Sequence, residues 1–515
     1  MRLLILSVVC LYFAVPGWAQ FEQYFEREIP VTSAKITATG FSNDGRLLIY
    51  GTKDGGIFAW DVKDAKPAGE LRYHKNEVTA LVFDSSGRYL VSGADDKNIV
   101  IWDMQTCQPL TIIKDFSAKV RCLDISPNGK LLIACGDKKD AHCWEFPSGY
   151  TRGRFSAHEK EVVLCAFGER SDQAVTVGED RKIIVWNVNS LSPVRQNEIT
   201  VHTLVNSGIE ISSAGLSADR RFLGVGIEEH VLTKGADRME FRYNIAFYDW
   251  TNGTLIKVLE GNDGIVDKLA LSPDVAYLLT DNSTLREHII SFWDILGGVV
   301  EKNYPITGSI TAFDFSPDGN WLAVAIGKDN SRRESAVAIW RLQGIDGYSP
   351  PVQSTTPLAE ASFGGRISLT GPSEPLISDD SPKTVAVMYP EAYGVDPGVA
   401  QFITEDMESR LVNNSPYVNV VERNQIEQII RELKYAQSGL TETQAIEIGK
   451  HLVAQYLIVG TVRRIGRDLT ITVKLVDVET SRIIGTRGVT CTNASMRHIY
   501  DMVSALAPTV ARLGP

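Results

Sequence analysis

Two groups of side chains in this sequence could carry nucleophilic chemistry, because each combines a hydroxyl, an imidazole and a carboxylate. A Ser or Thr activated by a His–Asp pair is the arrangement with which serine hydrolases attack an acyl group. The two groups, called here the His-to-Trp sets, match offset for offset, and each ends on a Trp at the same distance after its His. Their members are His74, Ser92, Asp96 and Trp102 in the first set, and His158, Thr176, Asp180 and Trp186 in the second.

A structural interpretation competes with the catalytic one and explains the repetition better. A catalytic nucleophile needs exposure and an oxyanion hole, and it has no reason to recur together with a tryptophan. Buried hydroxyl, imidazole and indole groups instead satisfy one another in hydrogen-bond chains that link neighbouring strands. We therefore predict that both sets are structural and that no residue of this chain is catalytic.

A repeat of about 42 residues surrounds both sets. Pairs similar to Trp-Asp recur at intervals of 42, 42, 42, 62, 45 and 47, and a turn-forming cluster such as Pro317-Asp318-Gly319 precedes nearly every pair. Short alternating apolar segments between these landmarks predict β-strands. The pairs are Trp60-Asp61, Trp102-Asp103, Trp144-Glu145, Trp186-Asn187, Tyr248-Asp249, Trp293-Asp294 and Trp340-Arg341.

These residues resemble the WD-repeat β-propeller family across about residues 25–345. The resemblance implies an all-β domain of seven four-stranded blades around a central channel. It also implies that the His-to-Trp sets form the family's internal polar network, and that a first strand near residues 26–31 completes the last blade. We assign residues 20–345 to this domain.

Two insertions lengthen the hairpins between the second and third strands of blades five and seven. They are residues 226–243 and 327–335, and both are expected to emerge on the same face of the propeller. Long loops on rigid scaffolds often carry function. The first insertion supplies Met239, Phe241 and Tyr243 as candidate apolar anchors for a protein partner, and a solvated loop with a packed stem is the alternative.

The segment 1–19 predicts an export signal. Arg2 provides a positive charge, Leu3 to Val15 are apolar, and small residues at Gly17 and Ala19 favour cleavage before Gln20. A membrane anchor is the alternative, but the run is short and Pro16 interrupts it. No later stretch is apolar enough to span a membrane, so no transmembrane segment is expected in the mature chain.

The cysteines show no metal-ligand spacing, and no metal or other cofactor is predicted. Six remain after cleavage, and free buried thiols are favoured over a disulfide among residues 122–143. Gly-rich phosphate loops and His-Glu-x-x-His motifs are also absent from the sequence. The chain has 52 basic and 63 acidic residues, a net charge of −11, which excludes nucleic acid as a favoured partner.

A Pro-, Ser-, Thr- and Gly-rich linker at residues 346–382 precedes a smaller α+β domain at residues 383–515. The predicted order of elements is β-α-β-α-α-β-β-β-α. Asp396-Pro397 opens the first helix, and Thr441 and Gln444 form a capping box. Arg423 is expected to bond strand or helix-end groups, and Glu422 is expected to pair with it. The three consecutive strands are expected near residues 455–463, 468–477 and 482–490.

This domain resembles the CsgG-like domain of bacterial envelope proteins, which is related to the amino-terminal domain of TolB and to LpoB. The resembling segments are residues 420–433, 449–452, 456–461 and 476–480. The resemblance implies a periplasm-facing protein that works by binding other envelope proteins. The strand connections at 464–467 and 478–481 are too short for the membrane hairpins of the curli secretion channel, and the lipobox is absent.

The sequence thus favours an exported, non-enzymatic scaffold or adaptor of the bacterial cell envelope. Its propeller would dock an envelope protein, and its CsgG-like domain would engage an outer-membrane or cell-wall assembly. We expect a periplasmic location with peripheral association to the outer membrane. The alternatives are a secretion component that forms rings through residues 383–515, and a hydrolase at the propeller channel.

Overall fold

The structure is a computed structural model, and the signal segment predicted at residues 1–19 lies outside the residues that it describes. The described residues are 25–31, 34–199, 208–232, 239–262, 264–283, 288–306, 308–327, 335–342, 366–371, 375–377, 382–416, 418–435 and 440–511.

Seven four-stranded antiparallel sheets form the first domain, one for each predicted blade. The chain begins with β1 (Phe25–Val31), and blades one and two consist of β2 (Ile36–Phe41), β3 (Leu47–Thr52), β4 (Gly56–Asp61), β5 (Lys66–Arg72), β6 (Val78–Phe83), β7 (Tyr89–Ala94), β8 (Ile99–Asp103) and β9 (Gln108–Ile113). Blades three and four consist of β10 (Val120–Ile125), β11 (Leu131–Gly136), β12 (Asp140–Glu145), β13 (Thr151–Ser156), β14 (Val162–Phe167), β15 (Gln173–Gly178), β16 (Lys182–Asn187) and β17 (Ser192–Glu198). Blades five and six consist of β18 (Gly208–Leu216), β19 (Phe222–Leu232), β20 (Met239–Asp249), β21 (Thr254–Asn262), β22 (Ile265–Leu271), β23 (Tyr277–Ser283), β24 (His288–Asp294) and β25 (Val299–Ile306). Blade seven takes β26 (Ser309–Phe315), β27 (Trp321–Gly327) and β28 (Ser335–Arg341) from the end of the repeat.

The first strand of the chain completes blade seven, as predicted. β1 pairs antiparallel with β28, with Ile29 opposite Val337. Ser335 then links this blade to blade one, since its hydroxyl donates to the Ala34 carbonyl over 2.9 Å and accepts from the Ile36 N–H over 3.2 Å. The innermost strands of neighbouring blades contact one another in sequence, and β26 contacts β2. The seven blades therefore form a closed ring.

The apolar core lies between neighbouring blades. One cluster joins Ile49 and Leu71 of blade one to Leu90 and Trp102 of blade two. The tryptophans of blades two, three, four and six are at most 1% exposed. Because a single sheet cannot cover both of its faces, each blade depends on its neighbours for burial.

The first His-to-Trp set is connected as a chain of hydrogen bonds across blade two. Trp102 Nε1 donates to Ser92 Oγ over 2.8 Å, and His74 Nε2 lies 2.8 Å from the same oxygen. His74 Nδ1 lies 3.1 Å from the Asp96 carboxylate, which also accepts the Lys75 N–H. The chain links the loop before the first strand to the second and third strands of the blade.

The second set repeats this geometry in blade four. Trp186 Nε1 donates to Thr176 Oγ1 over 2.8 Å, and His158 Nε2 lies 2.7 Å from that oxygen. His158 Nδ1 lies 2.8 Å from Asp180 Oδ1. The structure therefore brings together all eight predicted residues in two separate groups.

Blade six contains only the hydroxyl-to-indole bond of this network, and its different residue spacing hid it in the sequence. Trp293 Nε1 donates to Thr280 Oγ1 over 3.1 Å, across a separation of 13 residues rather than the 10 of blades two and four. Blade one has Tyr50 at the hydroxyl position, and the indole N–H of Trp60 is left without a partner. Hydroxyl-to-indole bonds thus occur in blades two, four and six.

The C-terminal region folds as a mixed six-strand sheet in the order β29-β35-β34-β33-β30-β32, and the short strand β31 pairs with β33 off this path. Helices α1 and α4 pack on one face of the sheet, and α2 and α3 pack on the other. The bounds are β29 (Ile367–Thr370), β30 (Lys383–Val387), β31 (Glu391–Tyr393), α1 (Pro397–Asn414), β32 (Val418–Val420), α2 (Arg423–Glu432), α3 (Glu442–His451), β33 (Tyr456–Ile465), β34 (Asp468–Asp477), β35 (Arg482–Cys491) and α4 (Met496–Val510).

The helix starts follow the predicted caps. The Asp396 side chain accepts the Gly398 N–H at the start of α1, and Thr441 and Gln444 form the capping box of α3. In its described residues, the segment predicted as linker contains a strand that its composition concealed, because β29 pairs with β35 and forms an edge of the sheet. A four-residue strand is too short to produce a periodic signal among so many turn-forming residues.

The C-terminal domain packs directly against blades five and six. One continuous apolar cluster contains Phe222, Phe247 and Ile256 of the propeller together with Val399 and Phe402 of α1. The two domains of this chain therefore share a buried core rather than only a linker.

We expect Trp186→Ala to lower the free energy of unfolding by about 3–5 kcal/mol, because it leaves a cavity and removes the bond to Thr176. Trp60→Ala is the matched control, since Trp60 is only partly buried and its indole N–H has no partner to lose. Equilibrium denaturation of both variants measures the difference. An equal loss of unfolding free energy in the two variants would contradict a stabilising role for the hydrogen-bond network.

Candidate functional site

The His-to-Trp sets are enclosed in the blades. Ser92 and Thr176 are 0% exposed, and each hydroxyl already contacts an indole N–H and an imidazole. Burial lowers the pKa of His74 and His158, although the neighbouring aspartates oppose this shift. A substrate has no route to either hydroxyl, so the geometry is that of a structural network.

The blade-five hairpin has the longest strands among the described residues of the propeller. Its strands β19 and β20 have 11 residues each, compared with five to seven in the second and third strands of other blades. Phe241 lies near its end, 51% exposed, with its ring 5.0 Å from the ring of His230 on the opposite strand. Tyr243 is half-buried opposite Glu228, and Met239 pairs with Leu232 in the backbone ladder.

Charged residues flank Phe241 along the hairpin. Glu228 lies 3.2 Å from His230, and Glu240 lies 3.9 Å from Arg242 across the same stretch of hairpin. An aromatic anchor with a polar rim is the pattern of binding hot spots. Phe241 is thus more exposed than Tyr243, and the side chain of Met239 lies outside the described residues.

The hairpins of blades five and seven emerge on one face of the propeller. In every blade the second and third strands join at this face, and the other two turns lie at the opposite face, because successive strands are antiparallel. The blade-seven hairpin joins β27 to β28, and its tip at 328–334 lies outside the described residues. We call this side the hairpin face.

The C-terminal domain contacts the opposite face, at the turns of blades five and six. Arg464 pairs with Asp294, the last residue of β24, and Arg467 lies 3.4 Å from Asp274 in the β22–β23 turn. The Tyr500 hydroxyl donates to Asp249, the last residue of β20. We call this side the turn face.

Arg464 pairs with the carboxylate that ends the third strand of blade six, and in other blades an arginine of the same blade makes this pair. In blade one, Arg46 lies 2.9 Å from Asp61, and in blade five, Arg221 lies 3.1 Å from Asp249. Both arginines directly precede the second strand of their own blade. Blade six has Ala276 there, and the carboxylate of its Trp-Asp pair receives an arginine from the other domain.

An ion pair between a buried lysine and a half-buried aspartate joins the domains beside this contact. Lys257 of β21 has a side chain only 2% exposed and lies 3.0 Å from Asp396, the residue that caps α1. Burial lowers the pKa of Lys257, and Asp396 opposes that shift. Gly398 lies against the same strand so closely that a Cβ would meet the Ile256 carbonyl oxygen at 2.3 Å.

Sequence reasoning missed these inter-domain residues, because contacts between distant segments leave no periodic signal. For Arg423 the predicted bond to a strand group is confirmed, and the predicted pairing with Glu422 is wrong. The guanidinium donates to the carbonyl of Val387 in β30 over 2.8 Å, and it pairs with Glu408 of α1 rather than with Glu422, the residue before α2. Burial raises the pKa of Glu408 to about 7.

The six cysteines of the described chain are free thiols, as the sequence favoured. Three of them nevertheless lie together, namely Cys122, Cys135 and Cys165. Burial raises the pKa of Cys135 and of Cys165, whereas hydrogen bonds from both thiols lower the pKa of Cys122.

Among the described residues, no helix combines the length and the apolarity needed to cross a bilayer.

Comparison with known proteins supports both halves of the architecture. The family described as "WD domain, G-beta repeat" matches residues 65–103, 107–145 and 301–331. The family described as "Peptidoglycan-synthase activator LpoB" matches residues 400–484, which run from α1 into the start of β35. The resemblance to CsgG-like and TolB domains stays a prediction.

One curated relative matches a part of the chain. "Pre-mRNA-processing factor 19 homolog 2" of Arabidopsis thaliana is 34% identical over 206 residues, which are 39% of this chain and 34% of the relative. The chain therefore spans about a third of the length of that relative. This protein is a seven-bladed WD-repeat propeller followed by an α+β domain that is similar in part to LpoB.

Proposed function

We propose that this protein is an exported, non-enzymatic scaffold of the bacterial cell envelope. Its hairpin face docks one protein partner, and its C-terminal domain engages a cell-wall or outer-membrane assembly. The observation that carries the proposal is that one strand, β20, reaches both surfaces. Phe241 stands near its start at the hairpin face, and Asp249 ends it in contact with Tyr500 of the C-terminal domain.

The length of β20 sets the distance between the two binding surfaces of the proposed scaffold. Phe241 and Asp249 are eight positions apart on this strand, which places them about 26 Å apart at about 3.3 Å per residue. A partner on the hairpin face does not compete with the C-terminal domain for the same turns. The two binding events can therefore occur on one molecule at the same time.

The family matches support the class of this function. WD-repeat propellers are rigid repeat structures that present extended surfaces to other proteins. The match to a peptidoglycan-synthase activator supports an envelope role for the C-terminal domain, as does the predicted export signal. We do not extend to this chain the RNA-processing role that the plant relative's name indicates, since a net charge of −11 disfavours binding to RNA.

The alternatives have less support in the geometry. Hydrolysis of the serine type would need a reactive hydroxyl, and the hydroxyls of the His-to-Trp sets are enclosed. Self-association through residues 383–515 stays a prediction, which the mass of the full mature chain in solution would test.

We expect Phe241→Ser to reduce the recovery of the propeller's partner at least about tenfold in a crosslinking pull-down from intact cells, because hot-spot anchors contribute about 2 kcal/mol or more. Leu110→Ser is the matched control, since Leu110 is 50% exposed on the outer strand of blade two while Phe241 is 51% exposed. Thermal melting of both variants establishes that the fold is intact. Undiminished recovery with Phe241→Ser would contradict docking at this hairpin.

We expect Gly398→Ala to lower the free energy of unfolding by about 1–3 kcal/mol, because the new Cβ meets the Ile256 carbonyl across the domain interface. Alanine has a higher helix propensity than glycine, so a loss identifies the interface rather than α1 itself as the cause. Gly69→Ala, which has no atom within 4 Å of the added Cβ, is the control. Calorimetry that shows an unchanged or raised melting temperature for Gly398→Ala would contradict the rigid junction.

A further inference from the structure

Three cysteines from two neighbouring blades bring their sulfur atoms together inside the propeller. Their Sγ atoms all lie within 4.8 Å of one another. Cys122 of β10 stands directly opposite Cys135 of β11, and Cys165 comes from β14, the innermost strand of the next blade. The cluster therefore spans the junction between blades three and four.

Hydrogen bonds hold the two innermost strands in register at this point. The Cys122 thiol lies 3.4 Å from the Cys165 carbonyl oxygen, and the Cys165 thiol lies 3.9 Å from the Cys122 carbonyl oxygen. This reciprocal pair fixes both sulfur atoms relative to the backbone. The site is thus built by the fold rather than assembled from flexible side chains.

The sulfur separations suit a single metal ion. With metal–sulfur bonds of about 2.3 Å, three sulfur ligands lie about 4.0 Å apart in a planar trigonal site and about 3.8 Å apart in a tetrahedral one. Separations of up to 4.8 Å need only small side-chain rotations to reach either value.

The surroundings favour three ligands over four. Cys135 and Cys165 are buried in an apolar cluster with Ile133, Val162 and Phe167, and Cys122 is half-buried against it. Within the described ranges, no His, Asp, Glu or additional Cys joins the three sulfur atoms. Structural zinc sites take four protein ligands, whereas soft thiolate sites select Cu(I).

We propose that Cys122, Cys135 and Cys165 form a three-coordinate thiolate site for one Cu(I) ion. Binding displaces thiol protons to solvent and leaves the copper oxidation state unchanged. The ion would connect β10, β11 and β14, and so hold blade three to blade four at their inner strands. This site is independent of the scaffold function proposed above.

Titration of the reduced mature chain with Cu(I), in competition with bicinchoninate, tests the site directly. A Cys107→Ala background removes the exposed thiol. We expect one Cu(I) per chain, with affinity reduced at least about tenfold by Cys165→Ala or Cys135→Ala, since even outer-shell changes cost about 10–100-fold. Cys143→Ala is the matched control, because Cys143 is a buried thiol of blade three outside the cluster, and it should bind as the parent does.

X-ray absorption at the copper edge of the parent protein provides a readout that needs no further variant. Three sulfur neighbours per copper would support the site, and two or fewer would overturn it. Equal Cu(I) affinity in Cys143→Ala and Cys165→Ala would also overturn it. So would peptide mapping of the exported protein that finds a disulfide between two of the three cysteines, the outcome that an oxidising compartment favours if no metal binds.

Discussion

The antiparallel pairing of β1 with β28 is the interaction on which the rest of this structure depends. It turns an open row of seven sheets into a ring and removes the exposed edge that β28 would otherwise present. Ile29 then joins Val337 and Ile339 in one apolar cluster with Ile36 and Leu48 of blade one. The hairpin face, the domain interface and the cysteine cluster all lie between or on blades whose positions this closure fixes.

The second constraint is the carboxylate that ends the third strand of a blade. In blades one and five this carboxylate forms an ion pair with an arginine of the same blade, Arg46 or Arg221. Blade six has Ala276 at that position, and Arg464 of the C-terminal domain pairs with its carboxylate instead. The domain contact therefore completes the turn of blade six. In the neighbouring Lys257–Asp396 pair, burial of the lysine offsets part of the attraction between the two charges.

The sequence was informative wherever a feature repeats or obeys a local rule. The His-to-Trp sets and the caps at Asp396 and Thr441 follow from spacing or from adjacent residue types, and the closing strand follows from the resemblance to WD-repeat propellers. Features that depend on distant segments could not be predicted in this way. Arg423 pairs with Glu408 across 15 residues rather than with its neighbour Glu422, and the Arg464–Asp294 contact spans 170 residues.

The cysteine cluster shows the same limit for site chemistry. Its three ligands are too widely spaced in sequence to fit a metal-binding motif, and only the stacking of two blades brings Cys165 to the other two. One signal was available in the alternation of the strands. Ala134 and Ala166 pack on the outer faces of this blade pair, so the adjacent Cys135 and Cys165 must point toward each other across the junction.

The geometry of β20 defines what kind of scaffold this chain can be. β20 is held between β19 and β21, and the ladder hydrogen bonds on both sides resist sliding of the strand. The two ends of β20 therefore keep a fixed position relative to each other. Phe241 and the Asp249–Tyr500 contact are thus kept at a fixed separation by one covalently continuous element. A partner docked at the hairpin face would be held at a set distance from whatever the C-terminal domain engages, and this makes a rigid spacer a better description than a flexible tether.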